Sequence, residues 1–178
     1  AKDYGVKIEE PDTPDFEGMI KRSRDVASGM SNGVQFLFKK NNIEHIKGFG
    51  RLTSIPGIVE VEDQSGKKTP VTAKNIIIAT GARSKELASL KQDGKRIIGY
   101  REAMTLNKQP ETMVVVGSGA IGSEFANFYQ SIGTEVTLVE FMPRLVPNED
   151  EEVSKQLERS FKKMKMKIMT DSSVESAD

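Results

Sequence analysis

The chain has 178 residues with 26 basic and 26 acidic side chains, so its formal net charge of zero favours neither nucleic acid nor an anionic membrane surface as a partner. Cysteine is absent, which excludes disulfides, cysteine-ligated zinc and thiol chemistry carried by these residues themselves. The sequence has no apolar run long enough to cross a bilayer and no signal-peptide core at residues 1–10, so we expect a soluble, cytoplasmic protein.

The first predicted element is one long amphipathic helix over residues 14–40. Thr13 is expected to cap it, and Pro14 to occupy the first helical position, where its missing N–H group does no harm. Apolar residues then recur with the spacing of a single helical face. These residues are Phe16, Met19, Ile20, Val26, Met30, Val34, Leu37 and Phe38.

Short β-type runs bounded by glycine and proline follow, and they predict a small antiparallel meander. The predicted strands are residues 43–46, 49–52 and 58–62. His45, the only histidine, falls within the first run beside Glu44. We expect it to be a solvent-facing strand residue rather than a catalytic base.

Residues 75–81 read Asn-Ile-Ile-Ile-Ala-Thr-Gly, and this unbroken apolar run predicts a strand buried on both faces, as in a parallel sheet. Residues 83–110 are mixed and polar and end in a proline, so we expect a connection with a short helix near residues 101–106.

The most informative pattern is a strand that runs directly into a G-x-G-x-x-G turn at residues 117–122. In such a turn Gly117 makes the tight bend, Gly119 lets the backbone approach a pyrophosphate, and Gly122 lets the following helix lie close to the strand. That helix is predicted over residues 123–132, and its N–H groups and positive dipole end would bind the pyrophosphate. The pattern predicts a dinucleotide-binding Rossmann unit.

A second buried strand, residues 135–139, ends at Glu140, about 20 residues beyond the turn. An acidic side chain at this point accepts hydrogen bonds from both ribose hydroxyls of NAD and repels the 2′-phosphate of NADP. We therefore expect NAD. The alternative is a glycine-rich turn without a ligand, which the combination of strand, turn, helix, second strand and glutamate disfavours.

The remaining patterns have structural explanations. The acidic run 149–152 suits the first turn of a helix through the helix dipole. Met164, Met166 and Met169 flank a short β-like run, and we expect them to pack in the core. No Ser/His/Asp or metal-ligand constellation can be built, so we expect neither a metal site nor a catalytic residue in these residues.

Residues 117–163, beginning GSGAIGSEFANFYQSIGTEVTLVE, resemble the dihydrolipoamide dehydrogenase family of flavoprotein disulfide reductases. NIIIATGARS, residues 75–84, resembles the A-T-G segment of that superfamily's FAD domain, and HIKGFGRL, residues 45–52, resembles its G-x-G strand. The resemblance implies an α/β fold that is part of a flavoprotein with two dinucleotide-binding domains. Residues 1–82 would be the later portion of the FAD domain, 83–110 a connection, and 111–178 the first portion of the NAD-binding Rossmann domain.

The resemblance also implies roles for individual residues. The NAD-binding residues would be Gly117, Ser118, Gly119, Ala120, Ile121, Gly122, Ser123, Glu124 and Glu140, with Ile121 near the nicotinamide. The residues lining FAD would be Gly50, Thr80, Gly81 and Ala82. Glu124 would pair with a lysine near the reactive nitrogen of the flavin.

The family's first glycine turn, its C-x-x-x-x-C redox pair and its His-Glu interface domain have no counterpart here, so we expect an internal fragment that is inactive alone. The parent would oxidise dihydrolipoamide through a cysteine pair and FAD to NAD, as a homodimer serving a 2-oxo acid dehydrogenase complex. The alternatives are another pyridine nucleotide-disulfide oxidoreductase, an NADH oxidase, or a non-catalytic NAD-binding module. The A-T-G segment argues against the last of these, because a module that binds only NAD has no need of a strand from a flavin domain. Lys165 departs from the family's helix-ending glycine.

Overall fold

The computed structural model describes residues 14–177 of the chain. These residues form two compact units: a small unit of residues 24–83, and a large unit of residues 14–23 together with 84–177. Helices and sheets are both present, so the predicted α/β class is confirmed.

Helix α1, Phe16–Lys40, confirms the long helix predicted from the apolar spacing. Its cap is Asp15, because the Asp15 Oδ1 atom accepts a hydrogen bond from the amide of Gly18 at 2.9 Å. Pro14 therefore precedes the cap, and the prediction that it is the first helical residue was wrong. Thr13, the predicted cap, lies outside the described residues.

The small unit contains an antiparallel sheet in the order β1-β2-β3, formed by β1 (Phe49–Leu52), β2 (Ile58–Glu62) and β3 (Lys68–Thr72). The meander was predicted correctly for β1 and β2. The sequence analysis missed β3, in which Pro70 has no amide to donate to a neighbouring strand.

Two predicted strands of this unit are absent from the described residues. Residues 43–46 and 75–81 have no strand conformation, and the Ile77 and Ile78 side chains are 90% and 67% exposed. A strand needs a hydrogen-bonded neighbour, and among the described residues none pairs with residues 75–81. His45 is exposed as expected but lies in irregular backbone, with its ring centroid 5.6 Å from that of Phe38.

The large unit contains a parallel sheet in the order β4-β5-β6, formed by β4 (Thr112–Val116), β5 (Glu135–Val139) and β6 (Lys167–Met169). Helices α3 (Ala120–Ser131) and α4 (Glu151–Lys163) connect successive strands. This confirms the predicted strand, helix and second strand. Helix α2, Tyr100–Ala103, is shorter than the predicted helix over 101–106.

The core of the large unit forms between the sheet and its helices. Tyr129 of α3 is fully buried, and its hydroxyl group donates to the carbonyl oxygen of Ala103 at 2.6 Å. Met166 is buried and Met164 packs against the core, as predicted, but the prediction was wrong for Met169, which is 40% exposed.

Both helices that connect the parallel strands end in the same way. After α3, Gly133 has φ +101°, and the Thr134 amide donates to the Tyr129 carbonyl oxygen at 3.0 Å. After α4, Lys165 has φ +60°, and the Met166 amide donates to the Phe161 carbonyl oxygen at 3.1 Å. Lys165 thus adopts the left-handed conformation that glycine usually provides at this position.

Candidate functional site

The glycine turn begins where β4 ends. Gly117 has φ +97°, a conformation that favours glycine, and its amide donates to the Val139 carbonyl oxygen of β5 at 2.8 Å. A Cβ atom on Gly122 would overlap the carbonyl oxygen of Gly117. The turn therefore requires glycine at 117 because of its positive φ. It requires glycine at 122 because α3 lies so close to the end of the strand.

Gly119 differs from these two glycines, because it is an ordinary extended residue with φ −61° and ψ 176° that caps α3. A Cβ atom added to Gly119 would meet no atom within 4 Å. The described structure alone therefore does not require glycine here. The open space above Gly119 is what close approach of a phosphate group to the backbone needs.

The N-terminus of α3 offers free hydrogen-bond donors beside this space. The first i to i−4 hydrogen bond of the helix is donated by the Ser123 amide to the Gly119 carbonyl oxygen, at 2.9 Å. Within residues 14–177, the amides of Ala120, Ile121 and Gly122 have no recorded acceptor. The first turn of α3 itself contains no acidic side chain.

Glu140 follows β5 and is hydrogen-bonded directly to the glycine turn. Its Oε2 atom accepts from the Ser118 amide and from the Ser118 hydroxyl group, both at 2.7 Å. Its Oε1 atom accepts from the Met142 amide at 2.8 Å. Ser118 is fully buried and Glu140 is 7% exposed, so the carboxylate is held firmly beside the turn.

The Glu140 carboxylate is stabilised in its charged form. Burial alone would raise its pKa, but the hydrogen bonds from Met142, Ser118 and the backbone of Phe141 together outweigh burial and leave the pKa below its ordinary value. Glu140 is therefore a fixed negative charge at neutral pH. Such a charge next to the turn repels a second anion at the same point.

A loop of residues 141–149 closes one side of the site. Val146 in this loop has φ +41°, which is rare for a β-branched residue. The Val146 amide donates to both the carbonyl oxygen and the hydroxyl oxygen of Ser118, at 3.2 and 3.1 Å. Sequence reasoning missed Val146, and no pattern in the sequence indicates its backbone conformation.

The other residues predicted for the same site lie on α3. The Ser123 hydroxyl group is buried and donates to the Ser118 carbonyl oxygen at 2.9 Å. Ile121 is 53% exposed, and Glu124 is exposed one turn into the helix. The turn, the helix N-terminus and Glu140 are thus brought together in the large unit.

The residues predicted to line FAD lie in the small unit. Gly50 is in β1, where a Cβ atom would make only ordinary contact with Val59 at 3.5 Å. Thr80, Gly81 and Ala82 are exposed in irregular backbone, and Gly81 has φ +72°. The structure thus places Gly50 in a strand and residues 80–82 in irregular backbone of the same unit.

Two features are absent from residues 14–177, a metal-binding cluster and a membrane-spanning helix. No group of three or more His, Cys, Asp or Glu side chains there could hold a metal ion. None of the helices in that part of the chain has the length and apolar character needed to span a membrane.

The chain is similar to a family model and to curated proteins along nearly all of its length. Residues 5–178 match the family model described as pyridine nucleotide-disulphide oxidoreductase. Dihydrolipoyl dehydrogenase of Zymomonas mobilis is 42% identical over 98% of this chain and 37% of its own length. Dihydrolipoyl dehydrogenase of Chlorobaculum parvum is 45% identical over 93% of this chain and 35% of its own length.

Among solved structures, the crystal structure of LpdA from Mycobacterium tuberculosis is similar with a TM-score of 0.81 and 27% identity. The match covers 90% of this chain and 36% of LpdA. The chain therefore spans somewhat more than a third of the length of the proteins that it matches.

Proposed function

Because the chain belongs to the pyridine nucleotide-disulphide oxidoreductase family, we propose that its glycine turn binds the pyrophosphate of NAD and that Glu140 selects NAD over NADP. The observation that carries the proposal is the pair of 2.7 Å hydrogen bonds from Ser118 to the Glu140 carboxylate. These bonds hold the Glu140 carboxylate, which would contact the ribose, beside the backbone of the glycine turn, which would contact the pyrophosphate. The adenosine half of NAD requires both contacts side by side.

The residues of the turn have separate tasks in this proposal. The amides of Ala120, Ile121 and Gly122 at the α3 N-terminus donate to the pyrophosphate oxygens, and Gly119 leaves room for them. Glu140 accepts a ribose hydroxyl and repels a 2′-phosphate. The exposed Ile121 side chain contacts the nicotinamide half of the cofactor.

We further propose that the intact protein is a dihydrolipoyl dehydrogenase, as its relatives at 42% and 45% identity are named. The balanced reaction is dihydrolipoamide + NAD⁺ → lipoamide + NADH + H⁺. NAD, when bound, supplies the acceptor for a hydride. Thiol chemistry requires cysteines outside these 178 residues, which contain none.

The flavin side of the proposal depends on the resemblance alone. In the intact protein Gly50, Thr80, Gly81 and Ala82 would line FAD, and Glu124 would pair with a lysine near the flavin. We propose a homodimer that serves a 2-oxo acid dehydrogenase complex. No step of the reaction is assigned to these residues.

The test is a comparison of substrates for the intact protein. Reduction of NAD⁺ by dihydrolipoamide should be faster, in kcat/KM, than by reduced glutathione or by other dithiols. NADH oxidation by oxygen is measured in parallel, because rapid oxygen consumption without dihydrolipoamide turnover would assign the protein to the NADH oxidases. Nucleotide binding without turnover of any of these substrates would favour a non-catalytic NAD-binding module.

A further inference from the structure

The hydroxyl group of Ser118 joins two parts of the site. Its oxygen accepts from the Val146 amide at 3.1 Å and lies 2.7 Å from the Glu140 Oε2 atom. Because an amide can only donate and an ionised carboxylate can only accept, the single hydroxyl proton must be donated to Glu140. The three groups form a directed chain, from the amide through the hydroxyl to the carboxylate, in which each hydrogen bond polarises the next.

Val146 holds a backbone conformation that a β-branched residue avoids. Residues in such conformations persist only where their surroundings hold them, and they concentrate at functional sites. The Val146 amide has two recorded acceptors, the carbonyl and hydroxyl oxygens of Ser118. Removal of the hydroxyl therefore leaves the unfavourable conformation with one hydrogen bond, the longer of the two at 3.2 Å.

The same hydroxyl limits how Glu140 can contact a ligand. A carboxylate has about four acceptor positions, two on each oxygen. The amide and hydroxyl of Ser118 use both positions of Oε2, and the Met142 amide uses one position of Oε1. The Ser118 hydroxyl therefore leaves no acceptor position on Oε2, so a ligand hydroxyl must be bound through Oε1.

We propose that Ser118 is the positioning residue for nucleotide selection. Its hydroxyl fixes the Glu140 carboxylate with Oε2 bonded to the protein, so that the ribose of NAD is bound through Oε1, and it anchors the loop of Val146 to that carboxylate. This inference rests on the proposed NAD site, whose ribose-selecting residue it explains. Ser118 acts through Glu140, since its side chain is fully buried and its hydroxyl group is hydrogen-bonded to Glu140 and Val146.

The decisive variant is Ser118→Ala in the intact protein. It keeps the amide donors of Ser118 and Met142 but removes the hydroxyl donor to a buried charge. The Kd of NAD⁺ measured by calorimetry should rise about tenfold. The ratio of kcat/KM for NAD⁺ to that for NADP⁺ should fall, with the loss confined to KM and kcat retained. The matched control is Ser154→Ala, because Ser154 is also buried and its hydroxyl donates to the Asp150 carbonyl oxygen within α4.

A second measurement does not depend on the nucleotide. Hydrogen exchange of the loop amides 141–149 should be about tenfold faster in Ser118→Ala than in the unmodified protein or in Ser154→Ala. Glycine adopts the positive φ of residue 146 without strain, so a Val146→Gly variant holds this conformation with less help from Ser118. Adding Ser118→Ala to Val146→Gly should therefore accelerate loop exchange less than adding it to the unmodified protein. Should Ser118→Ala fail to fold, Ser118→Cys fills the position with a slightly larger side chain that is a much weaker hydrogen-bonding group, and the same effects are expected.

The possible outcomes separate the two proposals. If the unmodified protein does not bind NAD⁺, the proposed function fails, and the exchange measurement still decides whether Ser118 anchors the loop. Unchanged selectivity and unchanged loop exchange in Ser118→Ala would overturn the role of Ser118. Tighter NAD⁺ binding by Ser118→Ala would also overturn it, because the hydroxyl would then compete with the ribose for Glu140 rather than position it.

Discussion

The carbonyl oxygen of Gly117 occupies the space that a Cβ atom on residue 122 would need. This relationship separates the glycines of the turn that the fold requires from one that the fold does not require. Gly117 and Gly122 belong to the first kind. Gly119, whose added Cβ would meet no atom within 4 Å, belongs to the second.

The first prediction compares two glycine-to-alanine variants of the same turn. Gly122→Ala should lower the free energy of unfolding by about 3 kcal/mol, because the methyl group can fit only if α3 moves away from the strand. Gly119→Ala should change it by less than about 1 kcal/mol, yet weaken NAD⁺ binding by crowding the pyrophosphate. Denaturant unfolding and calorimetric titration measure the two effects. Equal losses of stability in both variants would contradict this distinction.

The second prediction concerns the left-handed residue after α4. Lys165→Gly should raise the free energy of unfolding by about 1 kcal/mol, since a non-glycine residue pays roughly that cost at φ +60°. Lys163→Gly, in the last turn of the same helix, is the control and should be destabilising. Thermal unfolding of the two variants checks the prediction, and destabilisation by Lys165→Gly would contradict it.

The third prediction is a dependence of stability on pH that Glu140 causes. Because its pKa is lower in the folded protein than the ordinary value of 4.5, Glu140 stabilises the fold above about pH 4.5. That stabilisation is lost as the pH falls through the lower, folded-state pKa. Glu140→Gln should therefore be less stable than the unmodified protein at neutral pH, with the difference shrinking in acid. Denaturant midpoints measured across this range test it, and a difference independent of pH would argue against a charged Glu140.

The sequence was sufficient to predict much of the large unit. The apolar runs and the spacing of glycines predicted β4, α3 and β5, and the count of about 20 residues predicted Glu140 at the strand end. The predicted strand at residues 75–81 was wrong because an apolar run indicates a tendency to be buried but does not provide the neighbouring strand that burial requires.

The contacts of the site were harder to predict than its residues. That Glu140 accepts both ribose hydroxyls stays a prediction, but the sequence did not indicate that Ser118 and Met142 donate to its carboxylate within the protein. That arrangement depends on the course of residues 141–149, and in particular on the positive φ of Val146. No local pattern predicts this conformation, because it is held by hydrogen bonds to Ser118, 28 residues earlier in the chain.

The central claim, that Glu140 selects NAD at the glycine turn, is tested most directly by Glu140→Arg in the intact protein. The change replaces a ribose acceptor with a partner for the 2′-phosphate. Calorimetric titration with NAD⁺ and NADP⁺ gives both dissociation constants. We expect the unmodified protein to bind NAD⁺ at least tenfold more tightly than NADP⁺, and Glu140→Arg to reduce or reverse that preference. A preference for NAD⁺ that is the same in both proteins would contradict the assignment of Glu140.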